Sequence, residues 1–87
     1  MTKKRAAAEE LDLHGMAIDE AIPRVEEFVY AAFMARLPRV WVIHGKGTGA
    51  LRTAVRRYLS GHRLVSSSRP ADDAHGGIGA TEVNLGD

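Results

Sequence analysis

The chain contains no cysteine. That removes a disulfide framework and a thiolate zinc site from consideration, and it fits a reducing compartment, so the expected location is the cytoplasm. There is no long hydrophobic run either; the apolar stretches are far too short to cross a bilayer. The N-terminal MTKKRAAAEE is basic but lacks the apolar segment of a signal peptide. Residues 1–10 therefore read as a linker or disordered start, and residues 11–87 as the domain. Internal repeats and low-complexity tracts are missing. The most informative shortage is of negative charge. No Asp or Glu occurs from Phe28 to Ala71, a stretch that holds Arg36, Arg39, Lys46, Arg52, Arg56, Arg57, Arg63 and Arg69. The formal net charge is only +1 because the acids are gathered at the two ends. Such segregation predicts one electropositive surface, the footprint of a polyanion partner. Arginines that merely solvate a helix would explain the arginines but not the missing acids.

What is present is one small domain. The 87 residues, 45% of them apolar and 26% charged, are ordinary for a globular fold with a modest core. Leu11 to His14 alternate apolar and polar and end at Gly15, which predicts a short strand with Asp12 and His14 on the face opposite Leu11 and Leu13. Ile18, Ala21, Ile22, Val25, Phe28, Val29, Ala32 and Phe33 follow at helical spacing. Pro23 either kinks that helix or marks the start of its regular part, and the helix ends before Pro38. Arg39 to His44 is almost continuously apolar and β-branched and predicts a central strand. Leu51, Ala54, Val55, Tyr58 and Leu59 predict a second helix stopped at Gly61. Leu64–Arg69 and Ala80–Leu85 predict two more strands, and the segment PADDAHGGIGA between them reads as a mobile hairpin loop. The fold class is therefore α/β, in the order strand-helix-strand-helix-strand-strand. It is a two-layer sandwich with a small mixed sheet and both helices on one face.

The stretch HGKGTG at 44–49 runs from the central strand into the second helix. Gly45, Gly47 and Gly49 allow a phosphate to approach the backbone, and the helix start supplies unpaired N–H groups and the positive dipole end. Lys46 adds a charge and Thr48 a hydroxyl. The stretch does not match the P-loop pattern, and a dinucleotide site would need a larger domain. A bare tight turn explains the glycines but not a lysine inside the turn. If the first two strands are parallel, Asp12 and His14 meet this loop at one sheet edge. Histidine transfers protons near neutral pH, and Asp12 could orient it or hold a divalent metal. The spacing alone leaves both catalysis and simple phosphate binding open. Trp41 and Tyr58 could stack on bases, although core packing accounts for both, and Trp41 falls on the less covered sheet face. His62 and His75 have no assigned role.

LDLHG at 11–15, RVWVIHGKGTGALRTAVRRYL at 39–59 and SSRPADDAHGGIGATEVNL at 67–85 together resemble the Smr (small MutS-related) domain, in the form carried at the C-terminus of a bacterial MutS paralogue. The resemblance covers residues 11 to 85. It implies a two-layer α/β fold, nucleic-acid binding and, for many members, endonuclease activity that nicks DNA or cuts RNA. Relatives of the full-length kind are linked to restraint of recombination or to stalled ribosomes. Carried over by position, Asp12, His14, His44 and Lys46 become the catalytic candidates; many bacterial members have Arg where this chain has His14. Gly45, Gly47, Thr48, Gly49, Arg52, Arg56 and Arg69 become the nucleic-acid-binding candidates. No cofactor is fixed by the sequence, with Mg or Mn the divalent ions to consider. The expected partners are DNA or RNA and, through a parent protein, the ribosome, with no membrane and a monomeric domain. A non-catalytic recruitment module and a small nucleotide-binding regulatory domain are the competing readings.

Overall fold

The computed structural model describes residues 9–86. The linker reading of the N-terminus falls mostly on residues 1–8, which lie outside the described residues, as does Asp87. Strand β1 (Glu10–Asp12) already begins inside the expected linker, since the Glu9 carbonyl accepts a bond from the Trp41 amide at 2.9 Å. Helix α1 spans Ile18–Met34, strand β2 Arg39–Ile43 and helix α2 Ala50–Ser60, followed by β3 (Val65–Pro70) and β4 (Ala80–Leu85). The sheet order is β1-β2-β4-β3, with β1 parallel to β2 and the other pairs antiparallel.

Strand parity decides the layers. Val40 and Val42 pair with Val83 and Thr81, and all four are fully buried. With Leu13 and Leu85, the three valines join Val25 and Val29 of α1 and Val55 and Leu59 of α2 in one core cluster. Both helices thus cover one face. The other face carries Arg39, Trp41, Ile43, Glu82 and Asn84.

Helix α1 starts at Ile18 and runs through Pro23 without interruption. Proline has no N–H to give the Asp19 carbonyl, so the helix forgoes one bond near its start. Its buried stripe is Ala21, Val25, Val29 and Ala32. It ends in a Schellman turn: the Leu37 amide bonds the Ala32 carbonyl and the Arg36 amide the Phe33 carbonyl, each at 3.0 Å. Arg36 holds the left-handed position at φ 64°, the one non-glycine to do so among the described residues. Arg36→Gly is expected to stabilise the fold by about 0.5–1 kcal/mol, measured by urea unfolding, because glycine adopts this conformation without strain from Cβ.

The two helices are clamped by Glu26. Its carboxylate accepts from the Tyr58 hydroxyl and lies 2.7 Å from His62 Nε2, while His62 Nδ1 accepts the Leu64 amide. Burial and the Glu26 contact push the Tyr58 hydroxyl up to about 12. His62 is therefore a structural residue.

The segment expected to be a mobile loop is instead ordered into two short 3₁₀ turns, Asp73–His75 and Gly77–Gly79. Gly76 and Gly77 take positive φ, which lets two tight turns follow one another. Ala71 bonds Ala80 across the base, and the Gly79 carbonyl accepts both the His44 and Gly45 amides at 3.0 and 2.9 Å. Those backbone bonds to β2's exit are what tie the segment down.

Candidate active site

β1 and β2 are parallel, so their C-terminal ends share one edge. The chain leaves β2 at Ile43, passes His44 and enters the glycine loop with Gly45, Gly47 and Gly49 at φ 80°, 31° and 88°. A side chain is strained at all three positions. A Cβ placed at Gly45 would meet the Cβ of His14 at 3.4 Å, an ordinary packing distance, so the two positions are neighbours. The LDLHG strand end and the glycine loop thus lie side by side.

Asp12 and His14 form a pair. One carboxylate oxygen, Oδ1, accepts from the His14 amide at 3.0 Å and lies 2.8 Å from His14 Nδ1. This contact fixes the imidazole with its proton on Nδ1 toward the carboxylate. No hydrogen bond among the described residues engages Nε2, and the side chain is 72% exposed. The bond to Asp12 raises the imidazole above its ordinary value, and the reciprocal bond lowers the Asp12 carboxyl.

His44 differs in every respect. It is 4% exposed. Its Nδ1 lies 3.0 Å from the Gly45 carbonyl, which can only accept, so Nδ1 carries the proton. Nε2 then accepts from the Thr81 hydroxyl at 2.8 Å. Burial drives its pKa down, and the charges of Arg52 and Arg56 add to the shift. This buried, fully bonded neutral ring ties the loop to β4. It lacks the exposure that the proton-transfer role expected from the sequence would need.

The loop closes one side of a cavity of about 320 Å³. Gly15, Met16, Ala17 and Ile18 line the opposite side, with Lys46, Thr48 and Arg52 among the remaining walls. The N-terminal ends of both helices therefore face one concavity. Each contributes amides without intrahelical partners and the positive end of its dipole. Thr48 Oγ1 accepts the Ala50 amide at 3.3 Å, shaping the entry to α2. The charge of Arg56 reaches His44 as that of Arg52 does. Arg69 is elsewhere: it lies on the open sheet face, bound to Glu82 at 3.0 Å. Among the described residues no three His, Asp or Glu side chains gather to hold a metal ion. Asp12, one of whose oxygens already serves His14, does not by itself fit a resident Mg or Mn.

Sequence reading missed the far wall at Gly15–Ile18, and it missed Thr81 and Gly79, which hold His44 and the loop. Thr81 carried a usable signal, a polar residue on an otherwise apolar strand face. Gly79 carried a weaker one, a glycine directly before a strand.

This architecture, a glycine loop and an Asp–His pair at one edge of a small mixed sheet, defines a two-layer α/β domain of a recognisable family. The Smr domain family model matches residues 11–86, and the chain belongs to that family. It is 49% identical over 85 residues to a protein named Endonuclease MutS2 from Pelotomaculum thermopropionicum, covering 98% of this chain and 11% of that protein. The Endonuclease MutS2 of Bacillus cytotoxicus is 51% identical over 76 residues, covering 87% of this chain and 10% of that one. The chain thus spans about a tenth of the length of the curated relatives it matches. Its fold superposes on the crystal structure of the Smr domain of Thermus thermophilus MutS2 with a TM-score of 0.87 at 38% identity, covering 92% of this chain and 100% of that one. The stand-alone small MutS-related protein YdaL of Escherichia coli gives 0.85 at 30% identity, over 91% of this chain and 65% of YdaL. No helix among the described residues is long and apolar enough to cross a membrane.

Proposed function

We propose that the chain is an endonuclease domain that holds one phosphate of DNA or RNA at the glycine loop and hydrolyses the adjoining phosphodiester. The observation that carries this reading is the adjacency of the Asp12–His14 pair to the loop at the shared end of β1 and β2. The loop amides, the two helix starts and Lys46 receive the phosphate, and their fixed dipoles and charge meet the negative charge that develops on its oxygens in the transition state. Asp12 orients His14 through Nδ1. A water attacks phosphorus and releases its proton to solvent, while protonated His14 offers Nε2 as donor and charge to a phosphate oxygen or to the leaving oxygen. His44 positions the loop from the cavity wall, with both ring nitrogens held by internal partners. Arg52 and Arg56 bind flanking phosphates without reading sequence. The names of the MutS2 relatives agree with this assignment.

The test is incubation of the chain with supercoiled plasmid and with structured RNA, each in magnesium, in manganese and in EDTA. Cleavage that survives EDTA would show a metal-independent reaction, and its loss there would show that substrate phosphates complete a Mg or Mn site with Asp12. Lys46→Ala is expected to lower cleavage about 100-fold and to reduce the salt dependence of binding by about one phosphate contact. Salt-sensitive binding without cleavage of either substrate would make the chain a recruitment module. Saturable binding of a mononucleotide that survives moderate salt would make it a nucleotide-binding regulator.

A further inference from the structure

His75 was unassigned by sequence, and the loop site leaves it unused. Its ring lies flat on Trp41, centroids 4.1 Å apart and planes within 5°. Asp72 fixes the ring from the side, its carboxylate 2.7 Å from Nδ1. Trp41 is the chain's sole tryptophan and sits on the sheet face that the helices do not cover. Packing does not explain its choice: the indole Nε1 is buried with no partner, so a phenyl ring would fill the place without stranding a donor. The stack reaches the surface through His75, whose side chain is 36% exposed.

Among the carboxylates around the stack, two arginines present free guanidinium nitrogens. Glu82 faces Trp41 across the β2–β4 register. Its nearly buried carboxylate takes Nε of Arg69 at 3.0 Å and lies 3.9 Å from Nε of Arg39. Both arginine side chains are more than half exposed, and no hydrogen bond among the described residues engages their terminal nitrogens. The same carboxylate oxygen, Oε2, thus gathers two guanidinium groups beside Trp41. Asp12 lies on this same face, opposite Ile43, while Glu10 lies opposite Trp41. A strand crossing the stack therefore reaches the Asp12–His14 pair one step along β1.

We propose that the open sheet face binds single-stranded nucleic acid, one unpaired base stacking on His75 above Trp41 while Arg39 and Arg69 hold the neighbouring phosphates. The proposal rests on the nucleic-acid reading above and narrows its substrate to a strand with an unpaired base near the cleaved bond. A duplex keeps its bases stacked on one another and offers none to the platform. Any base has a π-face, so the contact carries no sequence preference.

The emission of Trp41 reports the site directly. Titration with oligo(dT) is expected to change it, and titration with the oligo(dA)·oligo(dT) duplex is not. His75→Ala is expected to weaken oligo(dT) binding about tenfold, whereas His75→Phe, which keeps a ring, stays within about twofold. Both variants are expected to bind the duplex as wild type does. If His75→Ala binds oligo(dT) with wild-type affinity while Lys46→Ala loses it, the stack is only a strut and the loop reading stands alone. If the wild-type chain binds neither these DNAs nor oligo(U) at low salt, both readings fall.

Discussion

Replacing His14 with Ala is expected to cut cleavage about 100-fold at neutral pH, while His14→Arg retains most of it. The reason is the pair with Asp12. The hydrogen bond to that carboxylate, reinforced by its charge, raises the imidazole above 6.5. His14 therefore carries positive charge over a wider range than a free histidine, and an arginine there would carry it at every pH. Three profiles follow. Wild-type cleavage falls as pH rises through the elevated His14 value. The Arg variant shows no such fall, because guanidinium does not titrate there. Asp12→Asn moves the fall to lower pH, since the group that raised the imidazole has lost its charge. Initial rates across neutral pH, with binding measured in parallel, check all three. An Arg variant as inactive as the Ala variant would mean that the imidazole transfers a proton rather than supplying charge.

His44→Ala is expected to destabilise the fold by about 2–4 kcal/mol, because it opens a cavity and strands the Thr81 hydroxyl among buried groups. Loss of activity in that variant would follow loss of the loop. The pH dependence has the opposite sign from that of His14. Burial lowers the folded pKa of His44 below 6.5. The unfolded chain then binds a proton that the folded ring refuses, so the contribution of His44 is present above 6.5 and is lost as pH falls from there through the folded value. Comparing urea unfolding of wild type and His44→Gln near neutrality and in mild acid isolates it: the wild-type advantage shrinks in acid. A variant that keeps full stability and loses only cleavage would return His44 to the catalytic group.

Much of this was legible in the chain itself. Period-two alternation in Leu11–His14 and Arg39–His44, and period-3.6 spacing in the two helices, depend on local geometry alone. They gave the element order, and the observed β4 matches its expected bounds. The glycine loop was legible for the same reason, since backbone that must take positive φ writes glycine into the sequence. Even the inward direction of His44 was available, because it continues the parity of Val40 and Val42.

Only the tertiary structure decided the rest. Strand order and the parallel pairing of β1 with β2 arise from contacts between segments far apart in sequence, and those contacts bring His14 against Gly45. Parity could not say that Nδ1 and Nε2 of His44 would both be taken by internal partners. Nor could composition say that PADDAHGGIGA would be ordered, because its fixing bonds run from Gly79 to a strand exit more than thirty residues earlier. The same segment lays His75 on Trp41, and the β3–β4 pairing sends Arg69 to the open face instead of the loop. Local sequence fixes which side chains share a face, whereas long-range packing selects the neighbours that each face meets.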